Sequence, residues 1–168
     1  MLKKSTLVLF LALASFVSNA QQGWFKQKIN AKVTVGFPLE PKKVNENSYV
    51  VKDADENIYV LTSLDMLAVT KMSLEEFNSG IVTQQFADEF LSGLAPSMPA
   101  YTFKDIKITK IKDQVVYQIE GRDDKNQATI YFNIFFIDGF SYSVTCMHKD
   151  GKPTRTRDLF LTNIYISK

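Results

Sequence analysis

The sequence predicts an α+β fold: an antiparallel β-sheet covered by helices. Three observations predict it. Residues 129–137, TIYFNIFFI, are almost continuously apolar, as a strand covered on both faces should be, which puts them at the centre of a sheet. Asp138-Gly139 directly after them is a two-residue hairpin signal, leading into the alternating residues 140–147. Leu74, Phe77, Ile81, Ala87, Phe90, Leu91 and Leu94 form one apolar stripe at helical spacing, preceded by Ser73-Leu74-Glu75-Glu76, a capping box in which hydroxyl and carboxylate satisfy each other's free backbone N–H groups.

The elements follow in order. The first twenty residues read as a secretion signal. Lys3 and Lys4 precede an apolar run of about 11 residues from Leu7 to Val17. Ser18-Asn19-Ala20 then offers a cleavage site before Gln21. The run falls short of the roughly 20 apolar residues that a membrane span needs, and no second one follows, so no transmembrane span is expected in the mature chain. Residues 21–168 contain no repeat, low-complexity tract or linker and read as a single domain, exported to a bacterial periplasm or secreted.

Residues 22–27 form a short lead-in containing Trp24 and Phe25. Residues 29–37 alternate, with Ala31, Val33, Val35 and Phe37 on one face, and Pro38 and Pro41 end that strand. Two strands at 48–52 and 57–64 flank the turn Asp53-Ala54-Asp55-Glu56. In the helical region Asn78-Ser79-Gly80 is weak enough to break the helix, and Gly93 and Pro96 close it. From Phe103 the chain reads as an antiparallel meander, with turns at Lys112-Asp113-Gln114 and at residues 122–126. Pro153 opens a closing helix running to about Ile164, with Leu159 and Phe160 toward the core.

Charge and cysteine content exclude several function classes. The chain holds 20 Lys and Arg against 18 Asp and Glu, and loss of Lys3 and Lys4 with the signal leaves 18 against 18. That balance gives no footing for nucleic acid, and none is expected as a partner. Cys146 is the single cysteine, so there is no internal disulfide. A lone thiol in an oxidising compartment is expected to be buried, here on the face shared by Phe140, Tyr142, Val144 and Cys146.

The candidate chemistry is sparse. Cys146 and His148 are about 6.6 Å apart along a strand, too far for the proton transfer that activates a thiol, and no CxxC or HxxxH companion completes a zinc site. Asp53-Ala54-Asp55-Glu56-Asn57 starts like a calcium loop, but Ile58 and Leu64 stand where glycine and glutamate are required. Asp123 and Asp124 read as solvated turn acids, and Lys104, Lys107, Lys110 and Lys112 as a solvated strand edge. No catalytic, cofactor-binding or metal-binding residue is expected, and no cofactor. The residues offered to a partner surface are Trp24 and Phe25, with the basic cluster Lys149, Lys152, Arg155 and Arg157.

Three segments are similar to the PsbP-like superfamily, which includes the DcrB-type periplasmic proteins. Residues 33–41, VTVGFPLEP, resemble its opening strand ending in F-P-x-x-P; the helix near 73–94 precedes a strand-rich half; and residues 157–164, RDLFLTNI, resemble its closing segment. The resemblance implies an α/β/α sandwich and binding or assembly roles, without shared catalytic residues. The expectation is a non-enzymatic exported protein that binds a partner protein or envelope component. A small-molecule-binding domain is the alternative, and an enzyme built on scattered carboxylates comes third. A closed apolar pocket with a few polar groups favours the alternative, and paired buried carboxylates in a cleft favour the enzyme.

Overall fold

The computed structural model describes residues 23–167; the expected signal peptide and its cleavage site at Ala20 and Gln21 lie outside them. The architecture is α+β and mostly antiparallel sheet. Small strands β1 (Phe25–Lys28), β2 (Val33–Phe37) and β11 (Ile164–Ile166) pair in the order β1-β2-β11. The large sheet runs β3 (Lys42–Asn45), β4 (Ser48–Lys52), β5 (Ile58–Asp65), β10 (Phe140–Lys149), β9 (Ala128–Ile137), β8 (Gln114–Asp123) and β6 (Thr102–Phe103), with β7 (Lys107–Ile111) also on β8. The helices are α1 (Met66–Thr70), α2 (Leu74–Gly80), α3 (Gln84–Leu94) and α4 (Arg155–Thr162).

Strand β9 lies inside the sheet, as its unbroken apolar run requires, and it divides two cores. Phe135 and Ile137 face Val33, Val35, Phe37, Phe160 and Ile164, so β2, α4 and β11 cover that face. Ile130, Phe132, Ile134 and Phe136 face Phe77, Ile81 and Ala87 from the α2–α3 region. One face is therefore covered by a second small sheet plus a helix, where the sequence predicts helical cover. Strand β11 has too few residues to show an alternation, and its partner β2 lies at the other end of the chain.

The helical region forms as its caps dictate. Ser73 and Glu76 make the capping box, and the helix stops at Gly80. A new one starts at Thr83, whose hydroxyl accepts from Phe86 N–H. Gly93 does not end α3, which runs to Leu94 and then into a short 3₁₀ turn (Ala95–Ser97) containing Pro96. The Asp138-Gly139 turn holds, with φ of 50° and 80°, while the turn expected over Lys112-Asp113-Gln114 is two residues, Lys112 and Asp113 at φ of 51° and 66°, because Gln114 already pairs with Ile111 as the start of β8.

Four further differences have local causes. The lead-in is a strand, β1, because its backbone pairs with β2 from Phe25 opposite Phe37 to Lys28 opposite Thr34. Ala31 is exposed and β2 starts only at Val33, since the Asn30 carboxamide accepts from the N–H groups of Lys32 and Val33 and fixes a turn there. Helix α4 stops at Thr162 and buries Phe160 and Leu161, leaving Leu159 exposed; Asn163 breaks the helix so that Ile164 can enter β11. Phe140, expected inward beside Tyr142, lies at the hairpin end, 39% exposed.

Candidate functional site

On the helical side, α2 and α3 sit over β8 and β9. Tyr117 anchors them: its ring packs edge-on against Phe90 and Phe136, and its hydroxyl donates to the Ile81 carbonyl at 2.8 Å. The same face of β10 and β5 is differently furnished. Cross-strand register sets Thr145 opposite Val60, Ser143 opposite Thr62 and Ser141 opposite Leu64. On the outer side Ser48 stands opposite Thr62, their oxygens 3.3 Å apart, and Ser143 and Thr145 share a hydrogen bond of 2.9 Å. Phe90, Leu94 and Met98 stand along this hydroxyl-rich half as a wall. Between wall and floor lies a cleft of about 270 Å³, and no described residue lining it carries a charge.

Two other grooves are different in kind. One of about 340 Å³ opens where β6 and β7 part along β8, among Lys104, Asp105, Lys107, Glu120 and Asp158. Its acids are not a buried pair: Asp105 and Asp158 are exposed, and Glu120 accepts from Lys104 at 2.6 Å. The other, of about 390 Å³, lies against Trp24, Lys26, Leu159 and Tyr165. There the Tyr165 ring already has the ammonium groups of Lys26 and Lys112 at 5.0 and 5.1 Å.

The residues offered to a partner do not form one patch. Trp24 is half-buried and packs against the core from the edge of that groove, while Phe25 pairs opposite Phe37 on the small sheet. Lys149 is 3.0 Å from Glu56, and Lys152 lies 3.9 Å from Asp55. Arg155 is exposed, whereas Arg157 lies with its guanidinium 4.3 Å from the Tyr131 ring centre and pairs with Asp158 at 2.7 Å.

The calcium-like stretch folds as a hairpin turn. The Asp53 carboxylate accepts from Asn57 N–H at 2.9 Å, from Asn57 Nδ2 at 3.1 Å and from the Tyr59 hydroxyl at 2.7 Å. Glu56 bridges Lys52 and Lys149, which hold its carboxyl down to about 2. Asp123 likewise caps its own turn, accepting from Asn126 N–H and Nδ2. Among the described residues no three His, Cys, Asp or Glu side chains converge on a metal position, and no helix is long and apolar enough to cross a membrane.

Cys146 is fully buried, and burial pushes its thiol up to about 12, so it stays protonated at neutral pH. His148 is 6% exposed and its Nδ1 has no partner. Burial first, then the neighbouring Arg157, push its pKa below the ordinary value of 6.5, with Asp150 and Asp158 opposing. Folding therefore favours neutral His148. That stability is present above the unfolded pKa near 6.5 and is lost as pH falls through the folded value. Glu56, Asp123 and Asp150 are all held below the usual carboxylate range and titrate lower still. Stability should thus decline as pH falls below about 6.5, and His148→Gln should flatten the decline in urea titrations. An unchanged slope in the variant would remove His148 as its cause.

No protein-family model matches the sequence, and no curated protein is similar to it. A protein from Bacteroides thetaiotaomicron VPI-5482, solved by crystallography at 1.50 Å, is similar in fold, with a TM-score of 0.50 and 9% identity. The match covers 88% of this chain and 50% of that one, so this chain spans about half the length of the protein it resembles. Likeness at that identity speaks to fold alone.

Proposed function

We propose that this is an exported, non-enzymatic binding protein whose working site is the cleft between α3 and the β5–β10 half of the large sheet. The carrying observation is the cleft's composition: an apolar wall of Phe90, Leu94 and Met98 facing hydroxyls at Thr62, Ser141, Ser143 and Thr145. Binding pockets are typically this mixture of apolar lining with a few placed polar groups. Of the two binding readings that the sequence leaves open, this favours a small molecule over a partner protein. The enzyme reading draws no comparable support, since Asp105 and Asp158 of the charged groove are exposed and its half-buried Glu120 is paired with Lys104.

The partner-protein reading rests on one observation, the groove where Trp24, Leu159 and Tyr165 leave apolar surface between lysines. We also read the fold as PsbP-like. In support, strand β2 ends at Phe37 before Pro38, within the segment that resembles the family's opening strand, and α4, within the segment that resembles its closing one, packs Phe160 against Phe37.

The test uses the uncharged dye Nile red, whose fluorescence rises in apolar surroundings. Fluorescence should rise on mixing with the native protein and fall to background with Ser143→Trp, which fills the cleft from a half-buried position. An equal signal from both proteins, each with native thermal stability, would sink the reading.

A further inference from the structure

The cleft's ligand class follows from where charge is missing and where it is already spent, an argument that rests on the cleft being the binding site. No described lining residue is charged. Cations on the same face beside the cleft are Lys52, opposite Ile58 in the row that continues to Met147, Lys149 at the end of β10, and Lys42, opposite Val50 on the edge strand β3 and so two strands out from Val60. Lys52 and Lys149 donate to Glu56, at 3.1 and 3.0 Å, and Lys42 stands on the edge strand outside the lining, so no cation is placed to receive a ligand's anionic group on the cleft floor. A carboxylate placed on the floor would give up its hydration for hydroxyl contacts alone, which costs far more than burying an uncharged group.

The hydroxyls impose the complementary preference. Each donates and accepts, so together they suit a ligand hydroxyl, ester or amide, which also does both or only accepts. Their mutual hydrogen bonds, Ser48 with Thr62 and Ser143 with Thr145, leave them satisfied beneath a hydrocarbon segment as well. Shape points to an elongated molecule. Ser141 to Thr145 spans about 13 Å of strand, and the wall runs about 6 Å at helical rise from Phe90 to Leu94 and on through the 3₁₀ turn to Met98. The volume of about 270 Å³ equals the room of roughly nine liquid waters.

We propose that the cleft binds an uncharged single-chain amphiphile, a hydrocarbon chain carrying a neutral hydroxyl or ester head, and discriminates against the corresponding carboxylate. The probes are 1-decanol and decanoate at neutral pH, which differ at one end of the same chain. 1-Decanol should shift the methyl NMR signals of Met98 and Met147 and bind about tenfold tighter than decanoate, or more. Thr62→Lys, at an exposed floor position, should reverse that order by supplying the missing cation. Decanoate binding as tightly as decanol to the native protein would overturn the proposal, as would an unreversed order in Thr62→Lys. If neither chain shifts the methionines while Nile red still distinguishes native protein from Ser143→Trp, the ligand class is wrong and the cleft reading stands. If Nile red fails as well, both fall.

Discussion

Phe160→Ala should lower unfolding stability by about 3–5 kcal/mol, the usual cost of deleting a fully buried phenylalanine. The Phe160 ring has no solvent exposure and lies 5.1 Å from Phe37 on β2 and 5.1 Å from Tyr59 on β5. It therefore joins α4, the small sheet and the large sheet at one point. The void would sit where three elements meet, so none can close it without separating from another. Denaturation in urea, followed by far-ultraviolet circular dichroism, gives the number. A loss under about 1 kcal/mol would mean that the small sheet is held by its strand pairing and not by this core.

Gly139→Val should cost about 2–4 kcal/mol, from backbone strain and overpacking together. Gly139 has φ of 80°, a conformation that a β-branched residue resists, and it forms the hairpin turn with Asp138. A Cβ there would also come 2.6 Å from the Leu67 Cδ1 and Cγ atoms. The two contributions separate experimentally. In a Leu67→Ala background the clash disappears and the strain remains, so adding Gly139→Val should cost less than in the native background but still more than zero. Equal costs in both backgrounds would show that α1 yields freely to the added atoms.

How far the sequence carried depended on whether each signal was local. The central strand, the capping box and the Asp138-Gly139 turn each rest on residues adjacent in the chain, and each stands as expected. Strand β3 is different. Its residues Lys42-Lys43-Val44-Asn45 are all exposed and carry no alternation, so only pairing with β4 makes them a strand. The same holds for β1 and β11, which exist because β2 lies between them.

The cleft was hidden for another reason. Alternation along β10 puts Phe140, Tyr142, Val144 and Cys146 on one face and carries no signal for what stands over Ser141, Ser143 and Thr145 on the other. Nothing local reveals that Ser141 and Thr145 are buried while Ser143 stays half-buried beside the wall of Phe90, Leu94 and Met98, leaving a cleft between them. One sign was available: the polar face of β10 carries hydroxyls through Thr145, whereas the polar sides of β1 and β7 carry lysines. A polar strand face without charge is a site that water need not own.

The pairing of Ile164 with Val35 has a consequence for the order of events when the protein is made. Strand β2 is among the first described elements to emerge and β11 is the last. Until the final strand arrives, β2 has β1 on one edge and bare N–H and C=O groups on the other. The large sheet can assemble from neighbouring hairpins, β8 to β9 to β10, with short loops to close. The small sheet cannot, because its middle strand waits for nearly the whole chain. Completion of the small sheet is thus deferred to β11, and until then the chain keeps the threadable state that the export we propose would require.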